Sequence, residues 1–252
     1  YCGGKYILRA DADDYAFPYI MENFVRFMEA HPDYVVCGAN IRIRYADRCK
    51  VFKYPSDNDK LRVYSLDGCP FSSHTFIRRS TLLHYGLKYR DDFYPGEDHG
   101  LWSELMLYGK LHNLQKVSSI YNKANSSSIT AGKEYRQDYP IARRNIFENH
   151  ARKYFSLNEE DTKRYIRLHA CSDRFLQVIM PKELLSAAEL EDIGRLLVSI
   201  LEHNNSTGFF KRRQLRTFLI LKWVMACYNN RLFRDKVLRI CWLWLRSMYK
   251  IN

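Results

Sequence analysis

Up to about Thr130 the chain sets short apolar runs between Gly, Pro, Asp and Asn; from about Tyr139 to the end its apolar positions recur at helical spacing. In the first region Tyr6–Leu8 reads as a short buried strand that runs into aspartates. Pro18 to Ala30 predicts a helix, because proline suits a first turn and Ile20, Phe24, Phe27 and Met28 share a face; His31-Pro32 ends it. Tyr34–Cys37 and Ile41–Tyr45 predict two strands around Gly38. Thr75–Ile77 predicts another, followed by a short helix at Ser80–Tyr85. Asp98 to Tyr108 predicts a helix with Leu101, Trp102, Leu105 and Met106 inward and Gly109 as its stop, and Val117–Tyr121 a last strand. Strands alternating with helices predict an α/β sheet. In the second region Ser186–His203 is amphipathic through Leu190, Ile193, Leu196, Leu197 and Ile200. A polar break at Asn204–Gly208 precedes two more helical segments, Phe210–Tyr228 and Leu232–Lys250. The change in texture predicts two parts, an α/β domain over 1–135 and a helical region over 136–252.

At 252 residues with 46% hydrophobic content the chain has ample material for a core and is not disordered. Its seven cysteines are scattered, with no C-x-x-C pair, so neither a disulfide framework nor a zinc site is expected, and a reducing compartment fits. The net charge of +12 is unevenly placed. From Asn205 onward eleven Lys and Arg stand against one acid, Asp235, so the tail carries +10 and the remainder only +2.

Two acidic motifs carry the candidate chemistry. Asp11, Asp13 and Asp14 crowd the end of the first strand, which in an open α/β sheet is where ligands bind. Carboxylates this close raise one another's pKa, and a hard divalent cation relieves the repulsion. Magnesium or manganese would take one or two of them together with water and substrate phosphates. The plainer reading is a solvated acidic loop, with Asp14 helping to cap the helix after Pro18. A calcium loop lacks its glycine and terminal glutamate here. A phosphatase nucleophile at Asp11 lacks a second acidic motif of the G-D-x-x-x-D type. About 85 residues on, Gly96-Glu97-Asp98-His99 places two carboxylates at a helix start, suited to a general base. The helix terminus is expected to depress their pKa and weaken that base.

The run Gly4-Lys5-Tyr6-Ile7-Leu8-Arg9-Ala10-Asp11-Ala12-Asp13-Asp14 through Pro18 resembles the metal-binding segment of the family 2 inverting glycosyltransferases of the GT-A fold. His74–Arg79, Gly86, Gly96–Trp102, Gly109-Lys110, Ile120-Tyr121 and Ser128-Ile129-Thr130 resemble their acceptor-side segments in the same order. The resemblance covers residues 3–130 and implies the C-terminal half of a GT-A domain. It implies Asp13 and Asp11 at a Mn²⁺ or Mg²⁺ that bridges a nucleotide-sugar diphosphate, with a UDP-sugar favoured, and Arg9 beside the donor. Asp98 would be the base for the acceptor hydroxyl, with Glu97 its neighbour. His74 and Trp102 are candidates on the acceptor side, although a lone histidine is more often a packed residue and Trp102 has core spacing. The family's nucleotide-binding half precedes this segment, whereas ten residues precede Asp11 here. The expectation is therefore a chain without its front half, whose activity alone is in question. Where the family often carries Tyr-Arg, this chain has Tyr121-Asn122 followed by Lys123.

The tail interleaves Lys and Arg with Phe, Trp and Leu, and its apolar runs are too short to span a bilayer. It suits the surface of an anionic membrane. The simpler alternative packs these helices on the body with their basic faces solvated; nucleic acid is not expected. The reading is a peripheral enzyme on the cytoplasmic membrane face, moving sugar to a saccharide or lipid-linked acceptor in cell-surface polysaccharide synthesis. The competing reading is a non-catalytic basic membrane-binding or scaffold module, or an inactive piece of the enzyme.

Overall fold

The computed structural model describes residues 2–123, 132–173, 176–180 and 185–229. The chain divides into two compact units, Tyr1–Tyr135 and Arg136–Asn252. In order, the first contains β1 (Tyr6–Arg9), β2 (Tyr15–Ala16), α1 (Ile20–Ala30), β3 (Tyr34–Arg44), β4 (Cys49–Phe52), α2 (Asn58–Ser65), β5 (Thr75–Arg78), α3 (Arg79–His84), α4 (Glu97–Leu105) and β6 (Lys110–Asn122). The strands form a mixed sheet ordered β1-β5-β3-β6-β2, with β4 on the outer half of β3. β3 and β6 run parallel along their length; the other pairs are antiparallel.

Helices cover both faces of β3, so it reads as a nearly continuous apolar run rather than an alternating one. On one face Ile20, Phe24 and Met28 of α1 meet Cys37, Ala39 and Phe76, with the Phe24 and Phe76 rings stacked at 5.4 Å. Each of those α1 side chains contributes on the order of 1.5–3 kcal/mol by burial. On the other face α2 and α4 bring Leu61, Trp102 and Leu105, all fully buried.

Several elements differ from the sequence-based expectation. Pro18 precedes α1, which starts at Ile20 with Tyr19 as its cap. The two strands expected around Gly38 are the single strand β3. Gly38 does not break it, because its role is close approach. A Cβ there would lie 2.3 Å from Asn113 Oδ1 and 2.5 Å from Phe71 Cδ1, both in buried residues. Asn113 is held in place, donating to the carbonyls of Pro55 and Pro70 at 3.1 and 3.0 Å. Gly38→Ala is expected to cost about 1–3 kcal/mol as overpacking, read as a lower urea midpoint at unchanged slope. Gly109 likewise is no helix stop: it seats the start of β6 against Val35, and α4 ends earlier, at Leu105. β2, β4, α2 and the first half of β6 were not expected from the pattern. The expected Leu232–Lys250 helix and the Ser128–Thr130 motif lie outside the described residues.

Described by itself, the second unit is helical: α5 (Lys133–Phe155), α6 (Glu159–Ala170), α7 (Leu176–Ile179), α8 (Ala187–Thr207) and α9 (Arg212–Asn229). The five apolar α8 positions named from sequence are buried. α8 starts on a reciprocal cap, in which the Ser186 side chain accepts from Glu189 N and Glu189 accepts from Ser186 N. Arg143 and Asp173 form a buried ion pair through Arg143 Nε at 2.9 Å. Lys222, one of the basic residues counted in the tail, is buried, and its Nζ donates to Ser172 Oγ at 2.7 Å.

Candidate active site

The carboxyl ends of β1, β3 and β6 and the start of β5 lie along one edge of the sheet, as their pairing requires. Residues 10–14 run across that edge from β1 to β2. Arg9, the last residue of β1 and paired with Thr75, turns its guanidinium onto Asp11 as a fork, with Nη1 at 3.1 Å and Nη2 at 2.9 Å from the two carboxylate oxygens. Nη1 also donates to the Ser73 carbonyl at 3.1 Å.

Asp14 does not cap α1, which has no side-chain cap. Its carboxylate accepts from Ser73 Oγ and, at 3.4 Å, from Asn122 N. It therefore ties the acidic loop to the lead-in of β5 and the end of β6, and burial raises its pKa despite those donors. The backbone of Asn122 thus supports the loop. Asp13 is exposed on the turn.

α4 brings the second motif to the same place. Burial is the largest influence on Asp98 and raises its pKa; Arg9 and the His99 N–H, which donates to Asp98 Oδ1 at 2.6 Å, pull it back, and Asp11 raises it further. Glu97 is raised chiefly by burial too, with Asp98 and Asp11 adding and Arg9 opposing. The depression expected from a helix N-terminus is therefore outweighed by burial: removing a charge from water costs more than a terminal dipole returns. α4 is locked by buried His99, whose Nε2 lies 2.8 Å from the Ser65 carbonyl at the end of α2.

The acceptor-side candidates fare differently. Trp102 is fully buried, edge-to-face with Phe71 at 5.6 Å, so it is a core residue and not a sugar platform. His74 is 2% exposed beneath the aspartates, with Nδ1 3.2 Å from Ser73 Oγ; burial lowers its pKa against the pull of Asp14 and Asp11. It supports the loop from below. Sequence reasoning missed Tyr89 and Cys69. Tyr89 is 43% exposed; burial raises its pKa, the charge of Arg9 opposes the rise, and Asp98 and Glu97 add to it. Cys69 Sγ lies 3.8 Å from Asp98 Oδ2 and 3.3 Å from the Phe71 carbonyl, and burial holds its thiol protonated. Neither sits in a motif, so the sequence offered no signal for them.

Among the described residues no group of three or more His, Cys, Asp or Glu side chains is placed to hold a metal ion. The described residues do not form an all-protein cage; a hard cation shared with a substrate would have Asp11 and exposed Asp13 as its protein carboxylates, with phosphate and water completing its shell.

No family model matches the chain. It is 24% identical over 140 residues to the amylovoran biosynthesis glycosyltransferase AmsE of Erwinia amylovora, covering 55% of this chain and 51% of that protein. It is 26% identical over 141 residues to an uncharacterized glycosyltransferase of Haemophilus influenzae, covering 47% and 44%. The chain spans about half the length of the curated relatives it matches. Among solved structures, S. aureus TarS 1–349 in complex with UDP-GlcNAc superposes with a TM-score of 0.52 at 12% identity, over 93% of this chain and 70% of that one. S. aureus TarS superposes with a TM-score of 0.50 over 98% and 40%. At that identity the likeness establishes the fold, a mixed α/β sheet followed by helices.

Proposed function

We propose that the chain carries the metal and acceptor side of a family 2 inverting glycosyltransferase. In this reading it moves a sugar from a nucleotide donor, a UDP-sugar by preference, to a hydroxyl of a saccharide or lipid-linked acceptor in cell-surface polysaccharide synthesis. The observation that carries the reading is the meeting of two acidic motifs, distant in sequence, around Arg9: Asp11 in its fork and Asp98 and Glu97 within its field. The curated relatives that bear glycosyltransferase names support the same reading.

Asp98 is the base. Its burial keeps it more basic than an ordinary carboxylate, which suits proton removal from a hydroxyl better than the weakened base expected from sequence. The His99 N–H fixes Oδ1, and the Cys69 sulfur lies 3.8 Å from Oδ2. Glu97 shapes the field beside it, and Tyr89 takes over from Trp102 as the aromatic surface open to a sugar. Asp11 and Asp13 would hold Mn²⁺ or Mg²⁺, which when bound supplies positive charge to the departing diphosphate. Arg9 keeps Asp11 oriented and adds a second cation on the donor side.

The basic tail from Asn205 onward would hold the enzyme peripherally on the cytoplasmic face of an anionic membrane. Among the described residues no helix is long and apolar enough to cross one. Calorimetric titration with UDP, with and without Mn²⁺, of this chain and of the longest natural protein containing it tests the donor reading. Binding should require the metal, and Asp13→Asn should weaken it about tenfold or more. Metal-independent binding, or none in either protein when both are folded, would favour a non-catalytic membrane module.

A further inference from the structure

The turn from α8 to α9 encloses a groove of about 520 Å³ whose lining includes Asn204, Phe210, Lys211, Arg212, Arg213 and Arg216 and no acidic residue. Its walls are fixed by the sequence. Gly208 ends α8 at φ 62°, a left-handed conformation natural to glycine, and donates to the Asn204 carbonyl at 2.8 Å. Asn204, 3% exposed, then uses both ends of its amide on one residue, accepting from Phe210 N at 2.9 Å and donating to Phe210 O at 3.0 Å.

This turn concentrates positive charge, and no acidic side chain is among the described residues that line it. α9 begins at Arg212 and has no acid in its first turn, whereas α6 begins with Glu159, Glu160 and Asp161 and α8 with Glu189. Cations at a helix N-terminus face the positive end of its dipole. Among the described residues Lys211, Arg212 and Arg213 make no ion pair, and Arg212 Nε and Nη2 are buried without a hydrogen-bond partner. Arg212 is part-buried, and two guanidinium nitrogens shielded from water without an acceptor carry a cost that a tetrahedral oxyanion in the groove would relieve by supplying the acceptors.

The remainder of α9 indicates where that oxyanion comes from. Leu221, Val224, Met225 and Tyr228 follow helical spacing along one side, between 39% and 70% exposed. A helix with a basic end and an apolar exposed stripe suits the boundary between lipid head groups and acyl chains. We infer that the groove is a phosphate-binding site that seats the head-group phosphate of an anionic lipid as α9 lies against a membrane surface. This deepens the membrane reading of the tail and is independent of the transferase chemistry.

Vesicle co-sedimentation of the whole chain tests it, using phosphatidylcholine vesicles that contain phosphatidic acid. Two variants probe the groove. Lys211→Gln with Arg213→Gln changes exposed side chains, and Arg212→Met removes the part-buried guanidinium whose Nε and Nη2 lack an acceptor. Arg234→Gln with Arg239→Gln removes equal charge from the basic sequence beyond the described residues. The groove variants should lose about tenfold or more in affinity and the control pair less than about threefold. Arg212→Met should melt no lower than the parent, which separates a ligand site from a structural arginine. Millimolar inorganic phosphate should raise the melting temperature of the parent but not of Arg212→Met. Equal losses in the groove and control pairs would overturn the site while leaving diffuse membrane attraction standing. Absence of vesicle binding by the parent would overturn both. Phosphate stabilisation without vesicle binding would overturn the lipid as its source.

Discussion

Asp98→Asn should reduce sugar transfer by about 10²–10⁴-fold, the usual contribution of a positioned base, and leave the fold as stable as before or more so. Both halves follow from one cause. Burial raises the pKa of Asp98 above the ordinary carboxylate value, and Arg9 with the His99 N–H only partly opposes it. An acid with a raised folded pKa binds more protons in the native state than in the unfolded one across that interval. Stability therefore falls as pH rises through it, and the penalty is complete above the folded pKa. Asn removes the charge, and with it the penalty, while keeping an oxygen to accept from His99 N. The fold gives up stability to hold a usable base in the site. In the parent, turnover should fall as pH drops through a pKa above the normal carboxylate range, and this acid limb should vanish with the activity in the variant. Thermal melts and initial rates across pH measure both. A variant that unfolds would make Asp98 a structural residue, and one that still transfers sugar would remove it as the base.

What the sequence could reveal depended on the range of each interaction. The first strand, the α1 face of Ile20, Phe24 and Met28, and the α8 face were legible because periodicity is local. Gly38 and Gly109 were misread because a glycine at a turn and a glycine under a neighbouring side chain look alike; only Phe71, Asn113 and Val35 tell them apart. β2 and β4 are short edge pieces with exposed side chains, and β6 opens with polar Lys110, His112 and Asn113, so no apolar run marked them. In the candidate site the acidic residues were visible as a motif. Their electrostatics were not: the helix dipole can be read from position, but the burial that overrides it belongs to the folded chain. Tyr89 and Cys69 reach the site only through tertiary packing.

Arg9 is where the two motifs become one site, and replacing it separates its two contributions. Arg9→Gln should lower transfer by about 10²-fold, comparable to removing a preorganised charge from a reacting centre. It should also move the acid limb to higher pH. The sign is fixed by the surroundings of Asp98: burial and Asp11 raise its pKa and Arg9 lowers it, so loss of the guanidinium leaves the raising influences less opposed. The base is then protonated at a pH where the parent is active. Arg9→Lys should behave differently. An ammonium retains the charge that acts on Asp98 but cannot make the two parallel contacts to Asp11 together with the third to the Ser73 carbonyl. Its acid limb should stay near that of the parent while metal-dependent UDP binding weakens, because Asp11 is no longer held in one orientation. A pH profile that moves in Gln and stays in Lys, beside donor binding that weakens in both, would establish Arg9 as both the field on the base and the clamp on the metal-side carboxylate. An unmoved profile in Arg9→Gln would confine Arg9 to the donor side and require Asp98 to take its proton affinity from burial alone.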